Sequence, residues 1–323
     1  KDIEIAHADS RFQSFICSIV KSTLELGLTG RLTAADAMVF SSICDPARNL
    51  ASIFKRNFPS VAVEYLHLPQ NLASPGAEEY LRAEYGRLLE TLRGLTGHEA
   101  TESDLERSLD LYNRARAATR ELYRLRREAP ERLSAAESYL LTRAGALMPV
   151  EDHLGFLGEA LAALPRREGR PKDRIRVVLE GSFCEQPPLE LIERLEECGC
   201  YLVDDDFLLG RRFFRADVPR GDDPVRALAR AYLELGVYSG TKHDLREPKA
   251  KHLIDKVREM RADAVVILAA KFCEPALFDY SLYRKALDEA GIPHLFLEFE
   301  EKTWVFDRLR TEVETFVESM LFS

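Results

Sequence analysis

Short unbroken apolar runs along this chain read as buried strands, and stripes recurring every three or four residues read as helices. Asp9 to Leu28 carries Phe12, Phe15, Ile16, Ile19, Val20, Leu24 and Leu26 near helical spacing, with Gly27 and Gly30 as stops. It predicts one amphipathic helix with Cys17 in its first half. Ala34 to Phe40 reads as a short buried strand, Pro46 to Phe58 as a helix and Ser60 to Leu68 as a second strand. From Pro75 to Leu164 strand signals vanish, and Ala, Leu, Arg and Glu fit three or four helices broken near Gly97, Pro130 and Pro149. The charged, proline-bearing run Pro165 to Arg174 reads as a linker.

Beyond the linker the alternation resumes. Strands are expected at Ile175 to Leu179, Cys200 to Val203, Ala264 to Ala269 and His294 to Leu297. Helices are expected at Leu189 to Glu197, Pro224 to Leu235, Pro248 to Arg261, Ala276 to Ala290 and Val305 to Leu321. This is the pattern of α/β architecture with parallel sheets. The expected division is a first α/β domain over 1–74, a helical segment over 75–165 and a second α/β domain over 166–323.

Composition narrows the function. A chain of 323 residues, 46% hydrophobic, can bury a large core and has room for two domains. No apolar run approaches the roughly 18–20 residues of a membrane span, and no charged-apolar-small leader opens the chain. A soluble cytoplasmic protein without a membrane partner is expected. A net charge of −9 argues against a nucleic-acid surface. Six cysteines without a dense secreted-type framework point to a reducing compartment with thiols free for metal or chemistry. The first residue is Lys1 rather than methionine, so a natural start upstream is expected.

The candidate chemistry sits where strands hand over to helices. Phe40-Ser-Ser-Ile-Cys-Asp-Pro-Ala-Arg-Asn-Leu50 has an echo in Ala269-Ala-Lys-Phe-Cys-Glu-Pro275. In both, an apolar run ends, a cysteine follows, and an acid and a proline then open a helix. Cysteine at a helix N-terminus leans toward thiolate, the form that binds metals, and two such cysteines point to one shared site. Cys184, in Glu180-Gly-Ser-Phe-Cys-Glu-Gln-Pro-Pro188, is a third cysteine at such a junction. Open parallel sheets place ligands outside the carboxyl ends of their strands.

The segments FICSIVKSTLELG, SSICDPARNL and LAAKFCEPALFDYSLYRKALDEAGIPHLFLEFE together resemble the family of benzoyl-CoA reductase and 2-hydroxyacyl-CoA dehydratase subunits, over nearly the whole chain. GSFCEQPPLELIE and CYLVDDDF look closer to the benzoyl-CoA reductase branch. The resemblance implies two Rossmann-like open-sheet domains, here without the N-terminal strand and helix with which family members usually begin. It also implies a [4Fe-4S] cluster on three cysteines, a homologous cluster-binding subunit, ATP-hydrolysing activator subunits, reduced ferredoxin as indirect donor, and benzoyl-CoA or a related acyl-CoA as substrate. Carried over residue by residue, the ligands are Cys17, Cys44 and Cys273, with Cys184 the lower-ranked alternative. The implied reaction is ATP-dependent reduction of an aromatic acyl-CoA. The alternatives are radical dehydration of a 2-hydroxyacyl-CoA and, in another class, a non-enzymatic electron carrier. The chain has no G-x-x-x-x-G-K-[ST] loop, so ATP hydrolysis is expected of a partner.

Other residues keep plainer readings beside the functional one. Cys198 and Cys200 form a C-x-C pair at a helix end, for which core packing is favoured over metal. Asp204-Asp-Asp206 either holds a cation, orients a proton donor or, the favoured reading, caps a loop. His243 is a candidate general acid or an exposed loop residue. Arg48 and Asn49 either tune a cluster through hydrogen bonds to its sulfurs or pack against a helix cap. The basic runs Gly210 to Arg215 and Lys249 to His252 either pair with coenzyme A phosphates or are solvated surface.

Overall fold

Strands and helices alternate at both ends of the chain, with a long helical stretch between, and every strand pair is parallel. The computed structural model describes residues 3–181, 187–207, 214–235, 247–300 and 307–322. Near the start, α1 (Ser18–Leu28), β1 (Ala37–Ser41), α2 (Asp45–Asn57) and β2 (Ala62–Leu66) form a unit in which β1 and β2 pair in register from Ala37 opposite Ala62 to Ser41 opposite Leu66. Its core is Val20, Leu24, Phe40, Leu50 and Phe54. The strands are less buried than their apolar runs lead one to expect: β2 is half-buried throughout and Val39 of β1 is exposed. A sheet of two strands, packed on α2, can cover little more than one face.

Four helices follow: α3 (Ala77–Thr96), α4 (Glu102–Glu128), α5 (Ala135–Ala144) and α6 (Val150–Ala163). Their starts follow capping rules. Thr101 with Asp104, and Ser134 with Glu137, form reciprocal capping boxes that satisfy donors otherwise left open at a helix start. Gly97 closes α3 with a left-handed φ of 67°, which glycine takes without strain.

The second sheet holds β3 (Ile175–Gly181), β4 (Cys200–Asp205), β5 (Ala264–Ala270) and β6 (His294–Phe299), in the order β4-β3-β5-β6. Its helices are α7 (Leu189–Glu197), α8 (Pro224–Leu235), α9 (Lys249–Met260), α10 (Glu274–Glu289) and α11 (Asp307–Leu321). Every residue of β5 is buried. A central parallel strand with helices on both faces has no solvent side, which is why it reads as an unbroken apolar run. Val177, Leu179, Val266 and Leu268 face α7 and α11, and Val178, Val265 and Ile267 face α9 and α10. The α/β class with parallel sheets expected from the sequence is what the chain adopts. Among the described residues no helix is long and apolar enough to cross a membrane.

One predicted element is wrong in a way that matters. The helix expected from Asp9 begins only at Ser18, so Cys17 is its N-cap and not a residue of its first half. In a continuous helix, residues 8 and 25 would lie about 25 Å apart. Instead the Glu25 carboxylate accepts hydrogen bonds from the backbone N–H groups of His7 (3.0 Å) and Ala8 (2.7 Å), and Lys21 donates to Asp9 (2.8 Å). These bonds fold the preceding segment back along α1.

Candidate metal centre

Three helices begin on a cysteine. Cys17 caps α1, Cys44 caps α2 and Cys273 caps α10. The two strand-to-helix junctions have the expected build, with Pro46 and Pro275 in the first turn. Cys17 reaches the same position without a preceding strand.

The three thiols are neighbours. Cys44 feels the charge of both Cys17 and Cys273, and Cys17 feels that of Cys273. None of the three is in a disulfide; Cys17 and Cys273 are buried and Cys44 is half-buried. Ile19, joined to the first core, also packs against the core that holds Cys273. The triad thus lies where the N-terminal unit meets the carboxyl end of β5, the region in which open α/β sheets place ligands.

The electrostatics differ from the sequence expectation. Burial pushes the Cys44 thiol up to about 11, outweighing the backbone N–H of Ala47, which lowers it; the other two cysteines and Asp45 push it further up. Burial likewise raises Cys17 against the backbone N–H groups of Val20 and Ile19. Both are therefore protonated at neutral pH. Desolvation dominates because the helix dipole, a partial charge, acts on a group already withdrawn from water. Three such N-termini still present a positive field to any anionic group the sulfurs hold. Among the described residues no three His, Cys, Asp or Glu side chains are gathered closely enough for a single metal ion. What the triad offers is three soft sulfur donors from three separate elements.

Sequence reasoning missed Tyr65. It stands opposite Phe40 in the β1–β2 register, its hydroxyl hydrogen-bonded with Ser42 and within electrostatic reach of Arg48, Asp45 and Cys44. Burial first, then the acidic neighbours, raise its phenol above the usual value, so it keeps its proton. Its signal in the sequence was weak, because a tyrosine in a strand has an ordinary packing role. Arg48 and Asn49 are both exposed on the first turn of α2.

The acidic run is not a capping loop. Asp204 and Asp205 lie within β4, and all three aspartates are buried. The Asp205 carboxylate accepts from Arg126 (2.7 Å), from the Tyr123 hydroxyl (2.8 and 2.9 Å) and from the Phe207 N–H (3.1 Å). Lys256 of α9 donates to Glu180 at the end of β3 (2.7 Å), and its charge also reaches Asp206 and Asp204. A cavity of about 250 Å³ between α4, the end of β4 and α9 is lined by Arg120, Arg124, Arg127 and Arg215 together with Asp204 and Glu259. Arg215 is the last residue of the first basic run; residues 210–213 lie outside the described residues. In the second run, Lys249 pairs with Asp279 (2.9 Å) and Lys251 with Asp255 (2.9 Å).

Cys184 and His243 also lie outside the described residues. Cys200 is buried in the sheet core, where burial pushes its thiol up to about 12, and the Cys198 Sγ faces the Arg310 carbonyl at 3.9 Å. Both sit at the amino end of β4, away from the triad.

A family model described as 2-hydroxyglutaryl-CoA dehydratase, D-component, matches residues 1–320. The chain is 38% identical over 319 residues to one of the benzoyl-CoA reductase subunits of Thauera aromatica, covering 98% of this chain and 83% of the relative. It is 28% identical over 318 residues to the lactoyl-CoA dehydratase beta subunit of Anaerotignum propionicum, covering 98% and 83%. With the (R)-2-hydroxyglutaryl-CoA dehydratase beta subunit of Acidaminococcus fermentans the identity is 26% over 317 residues, covering 95% and 82%.

Proposed function

Because the chain belongs to the 2-hydroxyglutaryl-CoA dehydratase, D-component family, we propose that it is part of an enzyme that reduces an aromatic acyl-CoA, of the benzoyl-CoA type, through a [4Fe-4S] cluster held by Cys17, Cys44 and Cys273. The observation that carries the reading is the meeting of three cysteine N-caps in a chain whose identity to a benzoyl-CoA reductase subunit, 38%, exceeds the 28% and 26% to dehydratase subunits. The donor set fits the group. A four-iron cluster takes thiolates on separate irons, and three thiolates would leave one iron open. Cys184 is the lower-ranked ligand.

When bound, the cluster supplies low-potential one-electron transfer. The rest falls to this chain's side chains and backbone. Each thiol gives up its proton on binding, so loading releases protons. The N-termini of α1, α2 and α10 stabilise the negative charge that the thiolates bring. The Tyr65 hydroxyl, hydrogen-bonded with Ser42 and within electrostatic reach of Cys44, is the candidate proton donor to a reduced substrate. Energy for lowering the potential comes from ATP-hydrolysing activator subunits fed by reduced ferredoxin. The catalytic unit, which works in the cytoplasm, is completed by a homologous cluster-binding subunit.

A second reading, radical dehydration of a 2-hydroxyacyl-CoA, has the dehydratase relatives in its favour. The discriminating assay is anaerobic: the chain co-purified with its partners, given ATP and a strong reductant, is offered benzoyl-CoA and 2-hydroxyacyl-CoA thioesters in parallel. Consumption of benzoyl-CoA alone is expected. Dehydration alone would replace the first reading by the second, and neither reaction would leave an electron carrier.

A further inference from the structure

Among the described residues only two other than glycine have a left-handed backbone, Arg261 (φ 49°) and Phe272 (φ 63°). Arg261 has an ordinary cause: it closes α9, its N–H bonded to the carbonyls of Arg258 and Val257. Phe272 ends no helix. It is the third residue of a tight turn in which the Cys273 N–H donates to the Ala270 carbonyl (3.0 Å), and the Glu274 N–H then donates to the Phe272 carbonyl (3.1 Å). A turn that needs positive φ at its third residue ordinarily has Gly or Asn there, because a Cβ clashes with the backbone in that conformation. A bulky aromatic at such a position is a true outlier. The ring gains no core burial in compensation, since it is 42% exposed.

The residue directly before Cys44 is Ile43, 36% exposed, and two residues before Cys17 stands Phe15, 62% exposed. Each cysteine of the triad thus follows, within two positions in the sequence, a large apolar residue that stays partly exposed.

We propose that Phe272 is a positioning residue of the triad: its left-handed turn aims the Cys273 thiol at Cys17 and Cys44, and its ring, on the residue next to Cys273, excludes water from the group the thiols hold. The inference rests on the reading of the triad as cluster ligands. An apolar shell controls solvent access to a metal site and its potential, and such outer groups commonly change affinity or activity by 10–100-fold.

The test uses Phe272→Gly and Phe272→Asn, which keep the turn and remove the ring, and Phe272→Tyr, which keeps the ring. In the metal-free chain, alkylation of Cys273 should speed up about tenfold in the Gly and Asn variants, while Cys198, remote from the triad, reacts at the wild-type rate. In the iron-loaded chain, loss of iron to a chelator should accelerate by a similar factor and the midpoint potential should shift, with Phe272→Tyr restoring both. Unchanged alkylation and unchanged iron loss in both ring-less variants would overturn the shielding role of Phe272. If the wild-type chain binds no iron, the proposed function falls, and the alkylation rates still decide whether Phe272 shields the triad.

Discussion

Asn in place of Asp205 should be more damaging than its small change in shape implies. Arg126 and Asp205 are each 1% exposed, and the carboxylate is the charged partner of the guanidinium. Asp205→Asn keeps an acceptor for the Tyr123 hydroxyl but leaves a buried cation uncompensated, which costs about 3–5 kcal/mol. Arg126→Met removes the cation and keeps the apolar stem. The aspartate then retains Tyr123 and the Phe207 N–H, so the cost is about 1.5–3 kcal/mol, that of a lost charge-assisted hydrogen bond. In Arg126→Met/Asp205→Asn no buried charge is stranded, and the double variant should be more stable than Asp205→Asn alone. For that the coupling must exceed the cost of Arg126→Met, about 1.5–3 kcal/mol, at the upper end of the range found for contacting residues. Urea unfolding followed by circular dichroism at neutral pH, repeated at high salt, measures all three. Salt should matter little, because buried pairs are weakly screened. Strict additivity, with the double variant as unstable as the sum of the singles, would refute the claim that this pair clamps α4 to β4.

Alanine at Cys17, Cys44 or Cys273 should sharply lower iron bound after anaerobic reconstitution, whereas Cys200→Ala should bind wild-type iron; a chemical iron assay decides. Tyr65→Phe should leave iron content unchanged and lower turnover by about a hundredfold or more if its hydroxyl supplies the proton; an equal loss of iron would make it structural. Burial pushes the Glu25 carboxyl up, but the bonds from His7 and the Ala8 N–H hold it below its usual value. Its contribution is thus present above the unfolded-state pKa of about 4.3 and lost as pH falls through the lower folded value. Glu25→Gln should accordingly lower the melting temperature at pH 7, with the gap to wild type narrowing in acid.

Much of the site was legible because the two junction cysteines announce themselves locally. An apolar run, a cysteine, an acid and a proline are all a strand-to-helix handover needs, and Cys44 and Cys273 cap their helices as that pattern predicts. Cys17 was misplaced because the start of α1 has no acidic first turn and no conventional cap, and because Phe12 and Ile16, though near helical spacing, pack against the core from irregular backbone. What breaks that helix is Glu25, acting across 17 and 18 residues on Ala8 and His7. The three aspartates looked like a loop for the same reason: the cation that justifies burying Asp205 lies 79 residues earlier. Phe272 was invisible because the rule for such a turn predicts glycine, and its violation appears only in the backbone angle.

The order of the triad along the chain also sets a timetable for making it. Two of its cysteines leave the ribosome early and the third only after about 230 further residues, about 11–46 s of synthesis at about 5–20 residues per second. During that interval the N-terminal unit carries two thiols with no third partner, so a nascent or truncated chain has an open, oxidisable pair where the finished chain has a site. On the proposed reading of the triad, loading is therefore an event that waits for the arrival of Cys273.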